Sequence, residues 1–152
     1  MNRKILAEFT TMCMIYDGNM ILVQDRNDAD WPGVAFPGGH VEKGESFNDA
    51  VVREIYEETG LYIKNPKLCG IKQFENQDFS RYIVLLYKTN EFRGNLHSSD
   101  EGRMKWINKF DLKKYNLAKD FDELFKVFDD DSLSEMAYEK NYENNDYSIK
   151  LF

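Results

Sequence analysis

Residues 39–61 read GHVEKGESFNDAVVREIYEETGL. Behind Gly44, which permits a tight turn, the stretch carries the marks of a helix. Ser46 can cap it, with Asp49 three residues on. Val51 and Ile55 form an apolar stripe, and Gly60 is placed for the left-handed position past the last turn, with apolar Leu61 after it. The spacing predicts a helix over 46–59. Glu54, Glu57 and Glu58 stand at i, i+3 and i+4, where like charges cost about a few tenths of a kcal/mol per pair. They also fall in the last turn, where the helix dipole disfavours anions. On a helical wheel Glu54, Glu58, Val51 and Ile55 fall at about 0, 40, 60 and 100°. The glutamates therefore border the apolar stripe instead of opposing it.

A carboxylate cluster leaning toward the core needs a cation. Arg53 offers one positive charge, which this spacing points to the flank. A hard divalent ion offers more: Mg²⁺, or Mn²⁺ in its place, takes carboxylate and water oxygens and bridges phosphate oxygens. The competing reading is a solvated face of surface ion pairs. Pro37-Gly38-Gly39 tilts the choice, because glycines before an acidic helix let backbone carbonyls and carboxylates approach a phosphorylated ligand together.

Upstream, FTTMCMIY (9–16) and the apolar run 20–23 flank Asp17-Gly18-Asn19, a β-hairpin pattern. Residues 27–34 read as a polar loop. Strands are expected at 67–75, 82–88 and 103–107. Phe121, Leu124, Phe125 and Phe128 define a second amphipathic helix over 120–128, their stripe being core or pocket wall. A final hairpin is expected in the tail, around Glu143-Asn144-Asn145-Asp146. Strands and helices mix without regular alternation, which gives an α+β class: a mixed β-sheet with flanking helices, one domain over 1–152.

Composition narrows the function classes. The 152 residues carry 20 Lys and Arg against 27 Asp and Glu, a net charge of −7 that argues against a nucleic-acid polymer as partner. The surplus lies wholly in 120–152, which holds ten acids and three bases; residues 1–119 hold 17 of each. Asp129-Asp130-Asp131 and its neighbours read as a solvated surface. No apolar run approaches the roughly 20 residues of a membrane helix, and no signal-peptide pattern follows the charged start. Cys13 and Cys69 lack metal-ligand spacing and read as two buried free thiols, with a disulfide as the alternative. A cytoplasmic protein, monomer or homodimer, is the expectation.

Gly39, five residues, Glu45, seven residues, Arg53-Glu54, apolar Ile55, one residue, Glu57-Glu58, one residue, Gly60 and apolar Leu61 resemble the signature of the Nudix hydrolases, with every defined position filled. The early hairpin, the Phe-Pro-Gly-Gly entry and the Glu101-Gly102…Trp106 segment are also similar to that family, in its MutT-type branch. The resemblance implies an α/β/α sandwich that hydrolyses a nucleoside diphosphate linked to another group with a divalent metal. It implies Glu57 and Glu58 as principal metal ligands, with the Gly38 carbonyl helping. Glu54 would be a further ligand or the base that activates water. Arg53 would support the reaction by holding, with Glu45, the loop–helix geometry, and Gly39 and Gly60 would be structural.

Glu101 resembles the loop carboxylate of MutT-type enzymes and is a candidate further ligand or base; otherwise it is a turn acid. Arg26 is a candidate for substrate phosphates, Phe36 for stacking on a base, and Asp120 for reading a purine edge. Trp31, His40 and His97 are assigned no role. The leading expectation is hydrolysis of a nucleoside triphosphate, an oxidised purine such as 8-oxo-dGTP, to the monophosphate and pyrophosphate. The bacterial prototype has Asn where Lys119 stands, which leaves that selectivity open. ADP-ribose or another nucleoside diphosphate derivative is the second expectation, and a non-catalytic nucleotide-binding module the third.

Overall fold

A computed structural model describes residues 2–152. Eleven strands follow the chain: β1 (Ala7–Asp17), β2 (Met20–Arg26), β3 (Gly33–Ala35), β4 (Gly38–His40), β5 (Leu61–Lys64), β6 (Lys67–Glu75), β7 (Arg81–Thr89), β8 (Glu91–Gly94), β9 (Gly102–Asn108), β10 (Glu135–Lys140) and β11 (Tyr147–Leu151). Helix α1 (Phe47–Thr59) lies between β4 and β5, and α2 (Phe121–Asp129) between β9 and β10; a 3₁₀ turn occupies Lys109–Lys114.

The main sheet runs β11-β10-β6-β7-β1-β2-β3, with β4 also on β1 and β9 also on β2. β1 pairs with β7 in parallel, Thr10 opposite Val84 and Cys13 opposite Tyr87, and its last two residues close the hairpin onto β2. Period-two alternation divides the core in two. Met12, Met14, Val84 and Leu86 pack with Phe121, Leu124 and Phe128 of α2. Cys13, Ile15, Leu85 and Tyr87 pack with Val51 and Ile55 of α1. The result is the α+β expectation realised: a mixed sheet between helices, an α/β/α sandwich.

Helix α1 ends as expected. The Ser46 hydroxyl accepts from the Asp49 amide at 3.0 Å, and Gly60 (φ 77°) closes the last turn by donating to the Tyr56 carbonyl. The C-terminal hairpin forms as β10 and β11, and β10 adds to β6 in parallel. Residues 27–34 are not wholly loop: Gly33 and Val34 begin β3, which pairs with the end of β2. β4, β5 and β8 carry no periodic signal of their own, being three or four residues long. Both cysteines are free thiols, Cys13 buried and Cys69 half-buried. Among the described residues no helix is long and apolar enough to cross a membrane.

Candidate functional site

The carboxylates of α1 differ in exposure as the wheel requires. Glu58 is 8% exposed, and the Glu54 side chain 13%, whereas Glu57 is 54% exposed. Buried Glu58 is held by neutral donors: Gln24 Nε2 at 3.0 Å from β2 and Ser99 Oγ at 2.9 Å from the loop before β9. Neither residue was among the sequence candidates. Gln24, 1% exposed in the middle of an apolar strand, was the available signal, since a buried amide requires a partner.

Arg53 does not point to the flank, contrary to the sequence expectation. Its Nε and Nη2 form a two-point contact with Glu45 at 2.8 and 2.9 Å. Nη1 reaches Glu54 at 2.9 Å and Glu57 at 3.2 Å, and Nη2 also donates to the His40 carbonyl at 2.9 Å. The planar guanidinium serves all of these at once, which an ammonium could not. Glu45 is pulled down to about 2, first by the Arg53 hydrogen bonds and then by the Glu42 amide.

The glycines act through what they leave empty. A Cβ at Gly39 would fall on the Glu54 carboxylate, and one at Gly38 on the Thr11 carbonyl of β1. Pairing of Thr11 with Gly39, together with Cys13 N–H to the Pro37 carbonyl and Val41 N–H to the Phe9 carbonyl, gives the ladder bonds to the odd-numbered residues. Gly38, opposite Met12, falls between these bonded pairs and lies against the β1 backbone. His40 is tied to Glu8 at 2.8 Å.

A cleft of about 430 Å³ opens beside this cluster, lined among others by Gly38, Gly39, Glu101, Trp31, Lys72 and Phe74. Burial raises the pKa of Glu101, and Glu58 nearby adds repulsion; burial also raises Glu54, against the pull of Arg53. The chain thus gathers more negative charge than Arg53 can neutralise, on oxygen donors only, which fits Mg²⁺ or Mn²⁺. Among the described residues no three His, Cys, Asp or Glu converge on one point. The fit lies in donor chemistry and charge.

Of the substrate candidates, Arg26 lines the cleft, bonded to Asp28 at 3.2 Å and lying 5.1 Å from the centre of the Trp31 ring. Its buried Nε has no partner among the described residues. Phe36 borders the cleft but is only 2% exposed, packing on Phe121 and Phe128 at 4.9 and 4.8 Å. Asp120 lies in a recess of about 270 Å³ off the cleft, shared with Trp31, Lys72 and Tyr138, and accepts from the Tyr138 hydroxyl at 2.7 Å. Trp31, given no role from sequence, is a wall of both cavities. Its neighbour Lys72, also missed, sits on the same face of β6 as Phe74, a period-two signal available in the sequence.

Comparison with known proteins agrees with this arrangement. The NUDIX domain family matches residues 8–129. A Bacillus subtilis protein named as the uncharacterized Nudix hydrolase YvcI is 34% identical over 113 residues, covering 71% of this chain and 70% of that one. An ADP-ribose pyrophosphatase of Methanocaldococcus jannaschii is 33% identical over 114 residues, covering 74% of this chain and 66% of that one. The crystal structure of a mutator MutT protein from Bacillus halodurans superposes with a TM-score of 0.77 at 27% identity, covering 95% of this chain and 97% of that one.

Proposed function

The chain belongs to the Nudix family, and from that premise we propose that it is a divalent-metal-dependent hydrolase of phosphoric anhydride bonds. Its substrate would be a nucleoside triphosphate carrying an oxidised purine such as 8-oxo-dGTP, cleaved to the monophosphate and pyrophosphate. One observation carries the reading: the cleft lined by Glu101 and by Gly39, on which Glu54 leans, adjoins an aromatic-walled recess of base size.

Glu57 and Glu58, with the Gly38 carbonyl, are the oxygens assigned to the metal, and Glu54 and Glu101 flank them as further ligands or as the base. Bound Mg²⁺ would neutralise phosphate oxygens and acidify a water for in-line attack on phosphorus. Gln24 and Ser99 fix the Glu58 carboxylate so that it need not reorganise. Arg53 orients Glu54 and Glu57 while Glu45 orients Arg53. Arg26, whose side chain lines the cleft, offers its guanidinium to the phosphates. The Glu54 and Glu101 carboxyls, raised by burial, are stronger bases than freely solvated carboxylates.

A product-resolved screen of 8-oxo-dGTP, dGTP, ADP-ribose and diadenosine polyphosphates with Mg²⁺ and Mn²⁺ tests this. Release of pyrophosphate with highest kcat/KM on the oxidised purine is expected; a strong preference for ADP-ribose overturns the substrate assignment. ADP-ribose is the second reading because the 33% identical archaeal relative bears that activity in its name.

A further inference from the structure

Lys72 is the one lysine in the cleft, and its surroundings are unusual for an ammonium. It is 9% exposed, in the middle of β6. Among the described residues its Nζ has no hydrogen bond and no salt bridge. Lys88, on the paired strand, shows the ordinary arrangement: it donates to the Phe128 carbonyl and to Asp131, both at 2.9 Å. Lys72 instead faces aromatic rings, 5.4 Å from the centre of Trp31 and 5.5 Å from that of Tyr138. It lines both the cleft and the recess that holds Asp120. The side chain is largely buried while its ammonium, without a hydrogen-bonded partner, is left to face the cavity it lines, with Asp120 the nearby opposite charge.

What the ammonium lacks defines what it can take. It has three donors and no acceptor. Across the recess Asp120 is an acceptor, one oxygen already receiving the Tyr138 hydroxyl. Lys119 also lines the recess, but Lys72 is the ammonium set against its Trp31 and Tyr138 rings. Lys72 with acceptor Asp120 matches a base edge with a carbonyl oxygen next to an N–H. A 6-oxopurine has that edge: O6 accepts, N1–H donates, and in guanine the 2-amino group donates as well. Adenine in the same seating brings its 6-amino donor against the ammonium and an unprotonated N1 against the carboxylate.

We propose that Lys72 is the specificity-determining residue of the base recess, selecting 6-oxopurine nucleotides by donating to O6 while Asp120 accepts from the N1 side. The inference deepens the proposed function and rests on its placement of the base in this recess. It adds that the selected feature is the 6-oxo group, shared by guanine, its 8-oxo derivative and hypoxanthine. When a 6-amino base enters, the Lys72 ammonium and the Asp120 carboxylate are left unpaired, which is how a polar recess rejects an analogue.

The test reads binding of monophosphates without metal, followed by the fluorescence of Trp31 in the cleft, and so does not depend on turnover. The parent should bind GMP and IMP about 10- to 100-fold more tightly than AMP. The monophosphate of 2-aminopurine, which keeps the 2-amino group and lacks O6, should bind like AMP. Lys72→Met, of similar length and without charge, should bring GMP down to the AMP level; Lys72→Arg, still a donor, should keep part of the preference. Thermal melting establishes that each variant is folded. Equal binding of GMP and AMP by the parent, or a preference unchanged in folded K72M, overturns the proposal. The 2-aminopurine comparison decides it on the parent alone if K72M does not fold. A 6-oxo preference together with no hydrolysis of any triphosphate would sink the proposed activity and leave this inference standing.

Discussion

The carboxylate of Glu54 lies in the space that a side chain at Gly39 would occupy. The family signature thus links two positions fifteen residues apart by contact: the first glycine is absent of side chain because the acid of the helix leans over it. Gly39→Ala should therefore displace Glu54 and strip it from Arg53. We expect kcat/KM to fall at least about 100-fold while circular dichroism shows the helix retained. Unchanged turnover would mean that the Glu54 position is immaterial to the reaction.

Glu57 and Glu58 should separate function from stability. Glu57 is half exposed, so Glu57→Gln should abolish Mg²⁺-dependent hydrolysis and leave the Tm within about 2 °C of the parent. Glu58→Gln should abolish activity, and Glu58→Ala should also lower the Tm, because it leaves the Gln24 and Ser99 donors without their acceptor. Parent-like turnover by E57Q on a nucleotide panel would remove that residue from the metal.

Arg53→Lys keeps the charge and loses the planar array that joins Glu45, Glu54, Glu57 and the His40 carbonyl. A loss of about 100-fold or more in kcat is expected, with a stability loss of about 1–3 kcal/mol in urea titration. Full activity in the lysine variant would show that charge alone suffices.

The pH dependence follows from opposite shifts. Glu54 and Glu101 have folded pKa values above their unfolded ones, so the folded protein holds more protons in that window and stability falls as pH rises through it. Glu45 is the reverse: held at about 2, it contributes stability above the ordinary carboxylate range, and this is lost as pH falls toward 2. Mg²⁺ competes with the protons on the raised groups. It should raise the Tm more at about pH 7.5 than at about pH 5.5, and the difference should shrink in Glu101→Gln. An equal Mg²⁺ effect at both pH values would place the ion elsewhere.

Phe36 belongs to the core against Phe121 and Phe128. Phe36→Ala should cost about 3–5 kcal/mol, a Tm drop of about 10 °C or more. Base selectivity among folded molecules should be unchanged. An altered selectivity at parent-like stability would return the ring to the binding site.

What the sequence determined by itself is local. Capping by Ser46, the stop at Gly60 and the convergence of Glu54 and Glu58 on the apolar border depend on residues three to eleven apart, a range that helix geometry fixes on its own. The acid cluster was therefore legible, whereas the total charge pointed to a C-terminal segment that forms α2 and an edge hairpin. Tertiary structure alone decided the rest. Gln24 and Ser99 meet Glu58 across 34 and 41 residues, and Tyr138 meets Asp120 from a strand that joins β6 in parallel. Pairing of β6 with β7 brings Lys72 to the cleft, and packing on α2 leaves Phe36 only a small edge there. Strand pairing between distant segments sets these contacts; period-two alternation gives only the face of a residue, and the neighbours on that face come from which strands lie alongside.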